Sequence, residues 1–212
     1  MTLVFAPLAH ADLGRLQAAA AAVAGGRGRR RRFALWRDGP VYTEPPQLRP
    51  VFVYGGGHVG TALVAALAPL PFSVRWIDAR AGGFLAPPPA GVDTRLTPLP
   101  ETEAQAAPAN AFHVVLTHSH ALDLEIVAAV LERDSFGFLG LIGSATKKAL
   151  FARRLSERGI PAGRLDRLIC PIGLPGLRDK RPAVIAASTA AQLLHADAAA
   201  RAQREPGTNP GG

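Results

Sequence analysis

The pattern of apolar and polar positions changes character at Val51. Beyond it, short apolar runs alternate with longer stretches of helical periodicity. Val51 to Tyr54 is an apolar run that leads into Gly55-Gly56-Gly57-His58-Val59-Gly60, and a helical pattern follows from His58 to Ala68. A second strand is expected over Ser73 to Ile77, ending at Asp78. A Pro/Gly-rich loop, Ala81 to Gly91, precedes a short strand over Val92 to Leu96. The run Phe112 to Leu116 predicts a strand buried on both faces. Ser119 to Leu131 reads as an amphipathic helix, and Phe136 to Ile142 as another buried strand. Ser144 can cap a helix reaching Arg158 that Gly159 and Pro161 end. A last strand is expected over Arg167 to Cys170, then a helix from Pro182 to about Ala199, with proline acceptable in its first turn. Strands alternating with helices predict an α/β fold, a doubly wound parallel sheet with helices on both faces.

The first 48 residues do not follow this rhythm and read as a short appendage. Asp12 to Ala24 is alanine-rich and suits one helix with Asp12 as N-cap. Gly25-Gly26 and an arginine run end it, Phe33 to Trp36 suits a short strand, and Asp38-Gly39 a turn. Pro45-Pro46 and Pro50 form a stiff connector. The main domain is expected over residues 49–200. Residues 201–212, rich in glycine, proline and polar residues, are expected to be disordered.

Composition narrows the function classes. Of 212 residues, 48% are apolar, enough for a core, yet no apolar run approaches the roughly 18 residues that span a bilayer. The N-terminus has no basic segment of the secretory type. Cys170 is the single cysteine and has no internal disulfide partner, which fits a reducing cytoplasm. The net charge is +8, and Arg27, Arg29, Arg30, Arg31 and Arg32 concentrate much of it. That run has no interleaved aromatics and no nucleic-acid motif around it, so it reads as a solvated loop rather than a nucleic-acid contact.

Candidate chemistry gathers where such sheets bind ligands, at the carboxyl ends of the strands. Gly55 suits a tight turn, Gly57 lets backbone N–H groups approach a diphosphate, and Gly60 lets the helix pack closely on the sheet. Asp78, 18 residues after Gly60, is placed to accept ribose hydroxyls. Thr117-His118-Ser119-His120-Ala121-Leu122-Asp123 follows a buried strand. Its His-x-His opening is shared with metallo-β-lactamase-like hydrolases, but the acid comes one residue late and no histidine follows it, so a third metal ligand is missing. The alternatives are a helix cap from Thr117 or Ser119 with Asp123 paired locally, or polar contacts to a ligand. Gly143, Ser144 and Lys147 offer either an ordinary cap with an exposed lysine or an oxyanion-binding helix N-terminus. Cys170 is either a small buried hydrophobe or a thiolate that binds a soft metal centre or carries sulfur as a persulfide, its pKa lowered by a neighbour such as Lys180.

Four stretches together resemble the C-terminal Rossmann-like domain of the xanthine dehydrogenase accessory proteins, the XdhC/CoxI family. They are FVYGGGHVGTALVAALAPLPFSVRWIDAR, VVLTHSHALDLEI, GFLGLIGSATKKALFARRL and CPIGLPGLRDKRPAVIAASTAAQLL, similar in order and spacing from about residue 50 to residue 195. The resemblance implies a chaperone rather than an enzyme. It would bind the molybdenum cofactor in its molybdopterin form, support its sulfuration through a cysteine desulfurase, and pass it to the apo xanthine dehydrogenase molybdenum subunit in the cytoplasm, with a homodimer as one option. Gly55, Gly57, Gly60 and Ser144 would cradle phosphate. Asp78 and Arg80 would contact polar edges of the ligand. His118 and His120 would line the pocket near the metal end, with His58, Thr117, Gly143, Lys147 and Cys170 also at the site. Fuller family members carry a substantial N-terminal domain, with a cysteine-containing motif, where this chain has 48 cysteine-free residues. Two other functions compete: an NAD(P)-binding oxidoreductase or sensor, for which Asp78 disfavours NADP, and a non-catalytic interaction protein that has lost its ligand.

Overall fold

The computed structural model describes residues 48–177 and 179–203, with the strands Arg32–Ala34 and Val41–Thr43. The chain divides into two units, Met1–Leu48 and Arg49–Gly212. In the first, β1 (Arg32–Ala34) pairs antiparallel with β2 (Val41–Thr43), Arg32 facing Thr43. The strand expected at Phe33 therefore exists and starts one residue earlier. The helix over Asp12 to Ala24, the arginines from 27 to 31, the Asp38-Gly39 turn and the tail from Arg204 lie outside the described residues.

The second unit is built on six parallel strands in the order β5–β4–β3–β6–β7–β8. These are β3 (Arg49–Tyr54), β4 (Phe72–Asp78), β5 (Asp93–Leu96), β6 (Ala111–Val115), β7 (Phe136–Leu141) and β8 (Leu168–Ile169). Counted from β3, the order is third, second, first, fourth, fifth, sixth, which is the doubly wound, Rossmann-like arrangement. The helices are α1 (His58–Leu67), α2 (Pro100–Ala106), α3 (His120–Arg133), α4 (Ala145–Glu157), α5 (Ala162–Leu165) and α6 (Pro182–Ala202).

The period-2 alternation of a strand sends neighbours to opposite faces. Phe52 and Tyr54 accordingly join α2, α3 and α4 in one core, with Leu131, Phe151 and Leu155. Val51 and Val53 join α1 and α6 in the other, with Leu63, Leu67 and Leu193. Both faces being covered explains why β3 and β6 are almost wholly buried. Arg49 opens β3 as a buried cation. Its Nε donates to Asp197 of α6 at 2.7 Å, and Arg201 donates to the other oxygen of the same carboxylate at 2.6 Å. That network fastens α6 to the amino edge of the sheet.

Two elements were not expected from sequence. α2 is a seven-residue helix with Pro100 at its start and Glu101 and Glu103 in its first turn; α5 is a single turn. The run Phe112 to Leu116 is also less apolar than a doubly buried strand requires, because His113 sits in its middle with 2% exposure. The strand accommodates the ring by placing the Tyr54 hydroxyl 3.0 Å from its Nδ1.

Candidate functional site

The strand order reverses between β3 and β6, and the loops leaving those strands open a crevice at the carboxyl edge of the sheet. Tyr54, Gly55, Ile77, Pro100, Thr117 and His118 line a shallow cleft there. The cleft encloses essentially no free volume, well short of a formed ligand pocket, so a ligand would meet its open rim.

The three glycines of the first turn are held differently. Gly55 has φ of +123°, which L-residues rarely adopt, and a side chain there would strike the Leu116 backbone. At Gly60 a side chain would drive into the carbonyl oxygen of Gly55, so this glycine fixes how closely α1 meets the turn. Gly57 differs from both: its φ and ψ, −67° and −174°, suit any residue, and nothing lies within 4 Å of the place a Cβ would take. Gly57 is also the N-cap of α1, and no side chain caps that end. The first-turn N–H groups of α1 therefore have no side-chain acceptor, and they carry the partial positive charge of the helix end. Gly60→Ala should lower stability by about 1–3 kcal/mol, read as a lower urea midpoint. Gly57→Ala should lower that midpoint less, by the modest cost of a poorer N-cap residue alone.

The other two helix ends at this edge supply their own acceptors. Ser119 caps α3 by accepting from Leu122 N, and Ser144 caps α4 by accepting from Lys147 N at 3.2 Å. Lys147 is not the exposed lysine of one of the two sequence readings. Its Nζ lies 2.6 Å from Asp123 Oδ2 and donates to the Ile142 carbonyl at 3.0 Å. Asp123 is fully buried, and its other oxygen accepts from the N–H and hydroxyl of Thr117 at 3.1 and 2.7 Å. The local pairing of Asp123 thus extends across the sheet and ties the loop after β6 to the helix after β7.

Asp78 and Arg80, expected to meet a ligand, meet each other. Asp78 is 4% exposed and accepts from Gly56 N at 2.6 Å, from Arg80 N at 2.9 Å and from the Arg80 guanidinium at 3.2 Å. Burial pushes its carboxyl up, but the Arg80 side chain and the two N–H groups outweigh that and hold its pKa below the usual value.

His118 lines the cleft and is exposed, whereas His58 and His120 are exposed first residues of α1 and α3 that do not line it. Among the described residues no group of three or more His, Cys, Asp or Glu could hold a metal ion. Gly143 is exposed and lies against Lys147 and Cys170. Cys170 is buried, with Sγ 3.6 Å from the Ser144 carbonyl. Burial pushes its thiol up, partly offset by Lys147 and Lys148. That favours the buried small hydrophobe over the activated thiolate.

Sequence reasoning missed Tyr54, Ile77, Pro100 and Leu122 as cleft residues. Pro100 had a readable signal, a proline followed by acids at a helix start. Tyr54 had none beyond its place as the last residue before the glycine turn.

A family model for the XdhC Rossmann domain matches residues 51–193. The uncharacterized protein YqeB of Escherichia coli K12 is 30% identical over 163 residues, covering 73% of this chain and 28% of that protein. A crystal structure of a xanthine dehydrogenase from Bacillus halodurans shares the fold with a TM-score of 0.60 at 22% identity, over 82% of this chain and 49% of that one. The chain thus spans less than half the length of either relative.

Proposed function

The chain belongs to the XdhC Rossmann-domain family, and from that premise we propose that it is an accessory chaperone of xanthine dehydrogenase. Its cargo is the molybdenum cofactor, held by the phosphate of its molybdopterin. The observation that carries this reading is the open space at Gly57. Gly55 and Gly60 answer to the packing of the chain itself; Gly57 does not, and the uncapped end of α1 behind it is suited to a dianionic phosphate. Thr117 and His118 then offer polar surface to the pterin along the cleft.

Sulfuration of the cargo falls to a partner, a cysteine desulfurase, because the buried, raised thiol of Cys170 is poorly suited to carry sulfur. The acceptor is the apo molybdenum subunit of xanthine dehydrogenase. No described helix is long and apolar enough to cross a membrane, and a cytoplasmic site of action agrees with the free thiol. The competing NAD(P)-binding reading draws on the same glycine turn. It calls for a free carboxylate at Asp78 and draws less support from a carboxylate already paired with Arg80.

Deleting the gene tests the proposal. The dehydrogenase should accumulate assembled, poor in molybdenum cofactor and inactive, and the intact gene should restore it. Full dehydrogenase activity in the deletion strain contradicts the reading.

A further inference from the structure

An ionised carboxylate offers about four lone-pair positions, and at Asp78 all four are taken. Oδ2 accepts from Gly56 N at 2.6 Å and Arg80 Nη2 at 3.2 Å; Oδ1 accepts from Arg80 N at 2.9 Å and Arg80 Nε at 3.2 Å. The backbone that follows is pressed onto the same place. A side chain on Gly83 would collide with Asp78 Oδ1, and one on Gly56 would collide with the Gly83 carbonyl. Leu85 N donates to Gly56 O at 3.3 Å. Phe84 sits edge-on to Trp76 with ring centres 4.7 Å apart, and Trp76 Nε1 donates to Gly55 O at 3.0 Å. The segment Arg80–Leu85 is therefore fastened to both the acid and the glycine turn.

In dinucleotide-binding sheets, the acid at the end of the second strand receives the ribose hydroxyls beside the helix that holds the diphosphate. We propose that Arg80–Leu85 is a resident occupant of that ribose position. It would make the cleft selective for a phosphate ester with no ribose next to its phosphate, and selective against nucleotides. This rests on the phosphate reading of the α1 end given above. A nucleotide would have to displace the Arg80 guanidinium and lift the backbone at Gly83. It would exchange charge-assisted hydrogen bonds for weaker ones from neutral hydroxyls. Arg80 and Phe84 are then specificity-determining residues, Arg80 by saturating the carboxylate and Phe84 by pinning the segment to Trp76.

Calorimetric titration of the full chain with inorganic phosphate, AMP and NAD tests this, using wild type, Arg80→Ala, Phe84→Ala and the double variant. Melting curves identify the folded variants, and Phe84→Ala leaves the Asp78 pair intact should Arg80→Ala fold poorly. The expected result is that wild type binds AMP and NAD no more tightly than phosphate. The opened variants should gain about tenfold or more for AMP with phosphate affinity unchanged. Wild type binding AMP or NAD about tenfold more tightly than phosphate overturns the inference, as does an AMP affinity that no folded variant improves. If phosphate fails to bind wild type while the opened variants gain AMP, the phosphate reading of α1 falls and the resident-segment inference stands.

Discussion

Lys147→Met is expected to cost about 3–5 kcal/mol of folding stability, the penalty for leaving a buried charge without its partner. Asp123 is fully buried on α3 and has no route to water, so the loss falls on a carboxylate that keeps only Thr117 as a donor. Removing Asp123 instead should cost less, because Lys147 retains 10% exposure and a flexible stem with which to reach solvent. The double variant Asp123→Asn, Lys147→Met buries no charge and keeps an acceptor for Thr117, so it should recover much of the loss. Urea unfolding of the three variants measures the difference. A double variant as unstable as Lys147→Met contradicts the buried-charge penalty, and an Asp123→Asn variant as unstable as Lys147→Met contradicts the asymmetry. The pair also fixes the loop carrying His118 relative to α4, so Lys147→Met should weaken cofactor binding even where the fold survives.

The second large effect is a dependence on pH that His113 imposes. Burial in β6, reinforced by the nearby Arg133 charge, lowers its pKa from 6.5 to about 3. Between those values the unfolded chain holds a proton on this histidine and the folded chain does not. Acid therefore favours unfolding: the contribution is complete above pH 6.5 and is lost as pH falls toward 3. The slope is about 1.4 kcal/mol per pH unit in that window. Tyr54, whose hydroxyl is kept protonated first by burial and then by Glu103, stays a neutral neighbour throughout. His113→Gln should lose some stability at neutral pH and flatten the profile below pH 6.5. Parallel profiles for wild type and His113→Gln from pH 6.5 to 4 contradict this.

The fold was legible in the sequence because its signals are redundant. Each inner strand is a short, strongly apolar run, and each of α1, α3 and α4 begins at a glycine or serine that the structure uses as its N-cap. α2 escaped because seven residues bury only Pro100 and Ala104, too little for periodicity to register. The site was half legible. The glycine turn, Thr117, His118 and Asp78 were placed at the correct edge of the sheet by strand–loop order alone. What each side chain does there was not legible. The spacing between Gly60 and Asp78 is the same whether the carboxylate awaits a ribose or is saturated by a guanidinium two residues on. Ser144 and Lys147 at i and i+3 look like an anion site until Asp123, 24 residues earlier in sequence, is found to hold the lysine. A partner that far along the chain leaves no local pattern, and a partner two residues away, as Arg80 is to Asp78, leaves one that does not say whether the two side chains meet.

Gly57 is a glycine the fold does not require, and one comparison isolates its role. Wild type and Gly57→Val are titrated with molybdopterin under reducing, oxygen-free conditions, alongside their melting curves. Valine suits the extended backbone at this position, and its Cβ enters empty space, so the melting temperatures should differ by no more than the modest cost of a poorer N-cap residue. Wild type should bind, and Gly57→Val should lose about tenfold or more in affinity, roughly 1.4 kcal/mol, as its side chain takes the place of the phosphate. Equal binding by the two proteins, with equal stability, would contradict the phosphate site at α1 and with it the proposed hold on the cofactor.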